Sequence, residues 1–208
     1  MNNRNELNPF LGNRAIRYSL SYPSLFKTQL RAILKANHHK NIQVMFPMIA
    51  TLEEFRQAKS LLLEAKENLE KEGHQISMPK VGIMVEIPSA ALFVSEFAKE
   101  VDFISIGTND LIQYLFAADR TNDHVAYLYQ PYHPVVLKTI KMMIDESHKH
   151  GIIVSICGEM ASHLPSAMML VGLGIDELSM NANSIAEIKY ALSLTNYEEL
   201  KNLTNELL

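Results

Sequence analysis

The feature that most constrains this chain is an alternation. Short apolar runs of strand type are separated by amphipathic stretches of helical spacing, and the unit repeats along the sequence. Ile42-Gln43-Val44-Met45-Phe46 is a strand run stopped by Pro47. Thr51 with Glu54 three residues on forms a capping box. It predicts a long helix whose apolar positions Leu52, Phe55, Leu62 and Leu69 recur at helical spacing until Gly73 ends it. Further strands are predicted at residues 81–85, 103–106, 152–156 and 177–180. Helices are predicted at 89–99, from Leu111, at 134–150 ahead of Gly151, and from near Pro165. An earlier helix over 22–36 carries the stripe Leu25, Leu30, Ile33 and Leu34. Ser184 with Glu187 and Asn196 with Glu199 signal the caps of two closing helices.

Strand runs this continuously apolar are buried on both faces, and alternating βα units imply a parallel sheet with right-handed crossovers. The class is α/β. Two architectures fit, a doubly wound open sheet and a (β/α)8 TIM barrel. A count of five strands favours the open sheet on pattern alone, since a barrel needs eight. No linker rich in Gly, Pro or Ser interrupts the chain, so residues 1–208 read as one domain.

Composition removes several classes of function. With 208 residues, 48% hydrophobic and 20% charged, the chain has ordinary globular composition, and its net charge of −4 argues against binding nucleic acid or anionic lipid. The Lys/His-rich stretch over 35–40 reads as a solvated helix end. No window approaches about 18 uninterrupted apolar residues, so no membrane span is expected. The polar residues 1–8 hold no apolar signal region. Cys157 is the only cysteine, which excludes an intramolecular disulfide and fits a reducing, cytoplasmic setting.

In parallel α/β folds the reactive groups gather at the carboxyl ends of the strands. Here those ends carry Glu86, the run Gly107-Thr108-Asn109-Asp110, Cys157-Gly158-Glu159, and Ser179-Met180-Asn181. Glu86 and Asp110 close successive strands and should be neighbours. Two carboxylates brought together repel unless a hard cation neutralises them, and Mg²⁺ is held by one or two carboxylates plus substrate oxygens. Their other reading is a helix-start residue and an N-cap. Cys157 is either a small inert core residue or a proton donor whose pKa is held up. Arg14, Arg17 and Arg120 lie nearest to strand-end or loop positions, where a guanidinium either clamps a phosphate or carboxylate or makes a surface ion pair. Gly172-Leu173-Gly174 is too weak for a phosphate loop and reads as a turn. The eight histidines show no metal-ligand spacing, and His148-x-His150 reads as solvated.

Taken in order, Asn8-Pro9-Phe10-Leu11-Gly12-Asn13-Arg14-Ala15-Ile16-Arg17, Val44-Met45-Phe46-Pro47-Met48 and the segment from Gly82 to Pro88 resemble one family. So do Ser105 to Leu111, Gln113-Tyr114, Asp119-Arg120, Asn122-Asp123, Leu128-Tyr129-Gln130-Pro131 and Cys157-Gly158-Glu159-Met160-Ala161. The family is the phosphoenolpyruvate-utilising enzymes, and the details are similar to its enzyme I branch, from the sugar phosphotransferase system. The resemblance implies a (β/α)8 barrel, a homodimer, and phosphoryl transfer from phosphoenolpyruvate to a histidine on a swivelling domain and then to HPr. Carried over residue by residue, Glu86 and Asp110 would hold Mg²⁺, and Asn109 would donate to the substrate phosphate. Arg14 and Arg120 would clamp phosphate and carboxylate oxygens, and Cys157 would protonate the enolate of pyruvate. Asn13 departs from the family's larger residue beside Arg14.

The family barrel has three further strands before the segment that begins at Asn8, with two more phosphate-binding arginines. The five strands are therefore expected to be the last five of eight. The swivelling histidine domain and the HPr-binding domain are not recognisable, so this chain alone is not expected to complete turnover. Two other readings use the same residues: a non-catalytic dimerisation or interaction fragment of the family, and a Mg²⁺-dependent lyase or aldolase acting on a 2-oxo acid. Five open strands would expose an apolar edge. The isolated chain is accordingly expected to self-associate or to be marginally stable, and a monodisperse monomer with cooperative unfolding in sedimentation and thermal melting would contradict this.

Overall fold

The computed structural model describes residues 6–208. Residues 1–5 of the polar N-terminal stretch therefore lie outside the described residues. The strands pair in chain order, β1-β2-β3-β4-β5, and every pairing given below is parallel. The fold is thus α/β with a five-stranded parallel sheet. The contacts divide it into two compact units, Met1–Ile83 and Met84–Leu208, and the division falls inside strand β2 rather than at a linker.

In the first unit a short 3-10 turn, Pro9–Leu11, leads into α1 (Ile16–Ser21) and α2 (Pro23–Ala36). Strand β1 (Gln43–Phe46), α3 (Leu52–Lys71) and β2 (Lys80–Val85) follow, and Val44 pairs with Val81 in the β1–β2 register. The buried stripe of α2 is Phe26, Leu30 and Leu34, so Leu30 and Leu34 lie inside as expected, Ile33 is half-buried, and Phe26 takes the place expected of the exposed Leu25. Phe26 meets Phe46 edge-on at 6.1 Å, and Phe46 meets Phe55 of α3 at 6.3 Å, a T-shaped and tilted cluster of the kind that adds to simple area burial.

The capping box of α3 forms as expected. Thr51 Oγ1 accepts from the Glu54 N–H at 3.2 Å, and Glu54 Oε2 accepts from the N–H groups of Thr51 and Ala50. Two of the orphan donors at the helix start are thereby satisfied. At the other end Gly73, with φ of 89°, closes the helix.

The second unit begins with α4 (Pro88–Leu92) and α5 (Val94–Phe97), where one helix was expected; the chain breaks at Phe93. Then come β3 (Phe103–Gly107), α6 (Thr108–Leu115), α7 (Pro134–Lys149), β4 (Ile153–Cys157), α8 (Glu159–Ser162), α9 (Leu164–Leu173) and β5 (Glu177–Leu178). Helices α10 (Ala182–Ser193) and α11 (Tyr197–Glu206) follow, and α11 packs on α9. Asn196 caps α11 as expected, but α10 is capped by Asn181, whose side chain accepts from Ser184 N–H. Ser184 is thus inside the helix.

Strand β3 is nearly all buried, yet β4 alternates: Val154 and Ile156 are buried while Ser155 and Cys157 are only partly so. The continuous apolar run expected here is a two-faced strand. One face packs Val154 and Ile156 with the core, and the other carries small polar side chains. His148 Nε2 lies 2.8 Å from Asp176 Oδ2 and His150 meets Ser95 at 3.2 Å, so neither is merely solvated. Replacing Thr51 by Ala is expected to cost about 1 kcal/mol, read as a lower midpoint in denaturant titration with an unchanged slope.

Candidate active site

The site is built at the carboxyl ends of β2, β3 and β4. The β3–β4 register sets Ser105 opposite Ser155 and Gly107 opposite Cys157. Side chains two apart share a face of a strand, so Ser105 and Gly107 lie on the face that carries Ser155 and Cys157. Glu86 reaches the same place. A Cβ added to Gly107 would lie 2.9 Å from Glu86 Oε2 and 3.0 Å from Met84 Sδ, so only glycine lets the carboxylate settle over the strand. Glu86 is 6% exposed.

Directly after Gly107 the chain enters α6, which presents Thr108, Asn109 and Asp110 in its first turn. The helix is longer at its start than the sequence suggests, and its N-cap is Gly107, which makes no side-chain cap bond. Asp110 is therefore not the cap. Glu86 likewise precedes the N-cap of α4, which is Ile87. The capping alternatives for both carboxylates fall away, and Asp110 keeps the favourable position of an acid in a helix's first turn.

Two hydrogen bonds between side chain and backbone knit the β3 and β4 ends together. Thr108, fully buried, donates its hydroxyl to the Cys157 carbonyl at 2.9 Å. The Glu159 N–H donates to Asn109 Oδ1 at 3.2 Å. Gly158 sits between them with φ of 106°, and a Cβ there would fall 2.4 Å from Thr108 Oγ1 and 2.9 Å from Asn109 Oδ1. Both the left-handed backbone and the close approach require glycine.

Arg120 is placed by its neighbours in sequence. Asp119 Oδ1 accepts from both the N–H and the hydroxyl of Thr121, which makes a tight turn and holds the Asp119 carboxyl below the usual carboxylate range. The Arg120 N–H donates to Gln113 Oε1 of α6 at 3.2 Å, and its Nη1 donates to Glu159 Oε1 at 2.6 Å. The ion pair is exposed on the Glu159 side, at 72%, so it contributes on the order of 0–1 kcal/mol and can be given up to a better partner.

The Cys157 thiol is pushed up from its ordinary pKa, first by burial and then by the negative charges of Glu86 and Asp110, with a hydrogen bond to Ser105 opposing them. It stays protonated at neutral pH, as a proton donor must. The same fact puts both carboxylates within electrostatic reach of Cys157. Of the residues expected from sequence, Glu86, Asn109, Asp110, Arg120 and Cys157 gather in the second unit. Arg14 belongs to the first unit, where its guanidinium lies 5.7 Å over the Phe10 ring. Arg17 instead bonds the carbonyls of Leu11 and Gly12, a structural role. Sequence reasoning gave no role to Thr108, Gly158, Tyr129 or Glu159. All four lie within the quoted motifs, but Thr108, Tyr129 and Glu159 act by hydrogen bonds across loops and Gly158 by leaving them room, which spacing does not reveal.

Among the described residues, no group of three or more His, Cys, Asp or Glu side chains is placed to hold a metal. Glu86 and Asp110 are hard carboxylates of the kind that suits Mg²⁺, which commonly keeps water and substrate oxygens in its shell.

A parallel α/β fold carries carboxylates, an amide, an arginine and a protonated thiol around its strand ends, and comparison with known proteins gives its family. Residues 1–197 match the family described as PEP-utilising enzyme, PEP-binding domain, and the chain belongs to that family. It is 52% identical over 201 residues to a phosphoenolpyruvate-protein phosphotransferase of Staphylococcus epidermidis, covering 96% of this chain and 35% of that protein. Proteins of the same name from Listeria monocytogenes and Bacillus subtilis are each 52% identical over 204 residues, covering 98% of this chain and 36% of theirs. The chain thus spans about a third of the length of these curated relatives. Among solved structures, a citrate lyase from Burkholderia xenovorans matches with a TM-score of 0.61 at 18% identity, over 87% of this chain and 57% of that one, a likeness of fold alone.

The thiol gives a direct test of the site's electrostatics. In metal-free buffer, alkylation of Cys157 is expected to rise only above the pH range of an ordinary thiol. Glu86→Gln removes one of the charges that oppose the thiolate, so its alkylation profile should move to lower pH; an unmoved profile would separate the two groups.

Proposed function

We propose that this domain binds phosphoenolpyruvate together with Mg²⁺ and positions its phosphoryl group for transfer to a histidine of another domain, which passes it on to HPr during sugar uptake. The observation that carries this reading is the convergence of Glu86, Asn109, Asp110, Arg120 and Cys157 at three neighbouring strand ends, in a chain of the phosphoenolpyruvate-binding family. We further read the five parallel strands as part of a (β/α)8 barrel, acting as a homodimer in the cytoplasm. Reactive groups at the carboxyl ends of strands in chain order support the barrel. No helix among the described residues is long and apolar enough to cross a membrane.

Phosphoryl transfer asks little covalent chemistry of the protein. It needs positioning and charge neutralisation. Glu86 and Asp110 are the residues that would hold Mg²⁺. When bound, the ion neutralises phosphate charge and helps align the transferring group. Asn109 donates its amide N–H to a phosphate oxygen. Arg120 exchanges Glu159 for a phosphate or carboxylate oxygen, an exchange eased by the weakness of the exposed pair. Arg14 is the second clamp, a role that rests on family resemblance. Once the phosphorus–oxygen bond to the enol breaks, the enolate of pyruvate remains. Cys157 then delivers its proton to the methylene carbon: the S–H bond breaks, a C–H bond forms, and the thiolate is reprotonated from solvent.

Neither rival reading draws support of its own. The citrate lyase likeness extends to fold only, and no observation on the chain singles out a purely structural fragment. Calorimetric titration tests the proposal. Phosphoenolpyruvate is expected to bind only with Mg²⁺ present, and Glu86→Ala or Asp110→Ala should abolish this Mg²⁺-supported binding. Arg120→Met is expected to weaken binding by about tenfold or more, the usual scale for a hydrogen bond to a charged group. Binding that is indifferent to Mg²⁺ and to both carboxylates would overturn the reading.

A further inference from the structure

A side-chain amide has a donor end and an acceptor end, and only its neighbours decide which way it faces. For Asn109 the decision is unambiguous. The main-chain N–H of Glu159 can only donate, and it lies 3.2 Å from one amide atom, so that atom is the carbonyl Oδ1. The hydroxyl of Tyr129 reaches the same oxygen at 3.3 Å. Tyr129 follows the 3-10 turn Ala126–Leu128, twenty residues along the chain from Asn109. Burial, then the charge of Glu159, pushes this hydroxyl up to about 12, with Arg120 opposing and Asp110 adding a little. It therefore keeps its proton at neutral pH and acts as a donor. With both lone-pair sites of Oδ1 occupied, the NH₂ end has to point away from Glu159 and Tyr129.

We infer that Tyr129 is a positioning residue: with the Glu159 main chain it forms a two-donor clamp on Asn109 that presents the amide NH₂ to an anionic substrate oxygen. The assignment of that oxygen to phosphoenolpyruvate rests on the function proposed above, whereas the clamp itself does not. An unclamped asparagine would spend part of its time with the carbonyl facing the anion, which repels it. A flip costs nothing in shape, so sterics alone do not prevent it. Gly158 completes the arrangement, because any side chain there would occupy the space where Asn109 Oδ1 meets the Glu159 N–H.

Two measurements separate the clamp from the functional reading. In the free chain, nuclear spin relaxation of the side-chain NH₂ group of Asn109, identified by its loss in Asn109→Ala, reports turning of the amide about the Cβ–Cγ bond without any ligand. Tyr129→Phe removes only the hydroxyl and is expected to speed that turning by about fivefold, the scale of one net hydrogen bond, with the thermal midpoint falling by no more than about 4 °C. In titrations of phosphoenolpyruvate with Mg²⁺, Tyr129→Phe should weaken binding by about fivefold in the unsubstituted chain and have no further effect in the Asn109→Ala background. Equal losses in both backgrounds, or an Asn109 amide that Tyr129→Phe leaves unmoved, would overturn the positioning role. Failure of the unsubstituted chain to bind phosphoenolpyruvate would instead overturn the functional reading, and the amide signals would then decide the clamp by themselves.

Discussion

The parallel register that sets Gly107 opposite Cys157 is the constraint on which the site depends. It fixes the ends of β3 and β4 at one level, so the residues that follow each strand emerge side by side. Because residue 107 has no side chain, the Glu86 carboxylate can lie over it and influence the thiol across the sheet. A slip of one residue would turn Ser105 and Ser155 to the packed face and Cys157 away from Glu86. The apolar residues Ile104, Ile106, Val154 and Ile156, all fully buried, oppose such a slip. Core packing and site chemistry are therefore two faces of the same pair of strands.

Much of the fold can be read from the residues because its signals are local. A capping box at Thr51 and Glu54, glycine stops at Gly73 and Gly151, and apolar runs at the strands each act within a few residues. Boundaries are harder. The helix over 89–99 is in fact two, and α6 begins at Thr108 rather than Leu111, because a helix entered straight from a strand needs no side-chain cap to announce it. Leu25 reads as core on spacing, yet Phe26 takes that place; only the partner surface, with Phe46 waiting, decides between adjacent positions.

The site divides in the same manner. Glu86, Asp110 and Cys157 are legible as strand-end residues with chemistry of their own. The bracing residues are not, since Thr108 holds the Cys157 carbonyl, and Tyr129 and Glu159 hold Asn109, across separations of twenty to fifty residues. Polar side chains on β4 were hidden inside what reads as an apolar strand. Their small size is what leaves room at the sheet face for the groups above them.

Glu159 serves its two neighbours through different parts of itself. Its main-chain N–H holds Asn109, and its carboxylate holds Arg120. The first contact is indifferent to which side chain stands at that position, provided proline is absent, while the second belongs to the glutamate alone. The position can thus change its grip on the arginine without disturbing the amide, so the strength of the resting ion pair, and with it the ease of releasing the guanidinium to an incoming anion, is adjustable independently of the geometry that receives it.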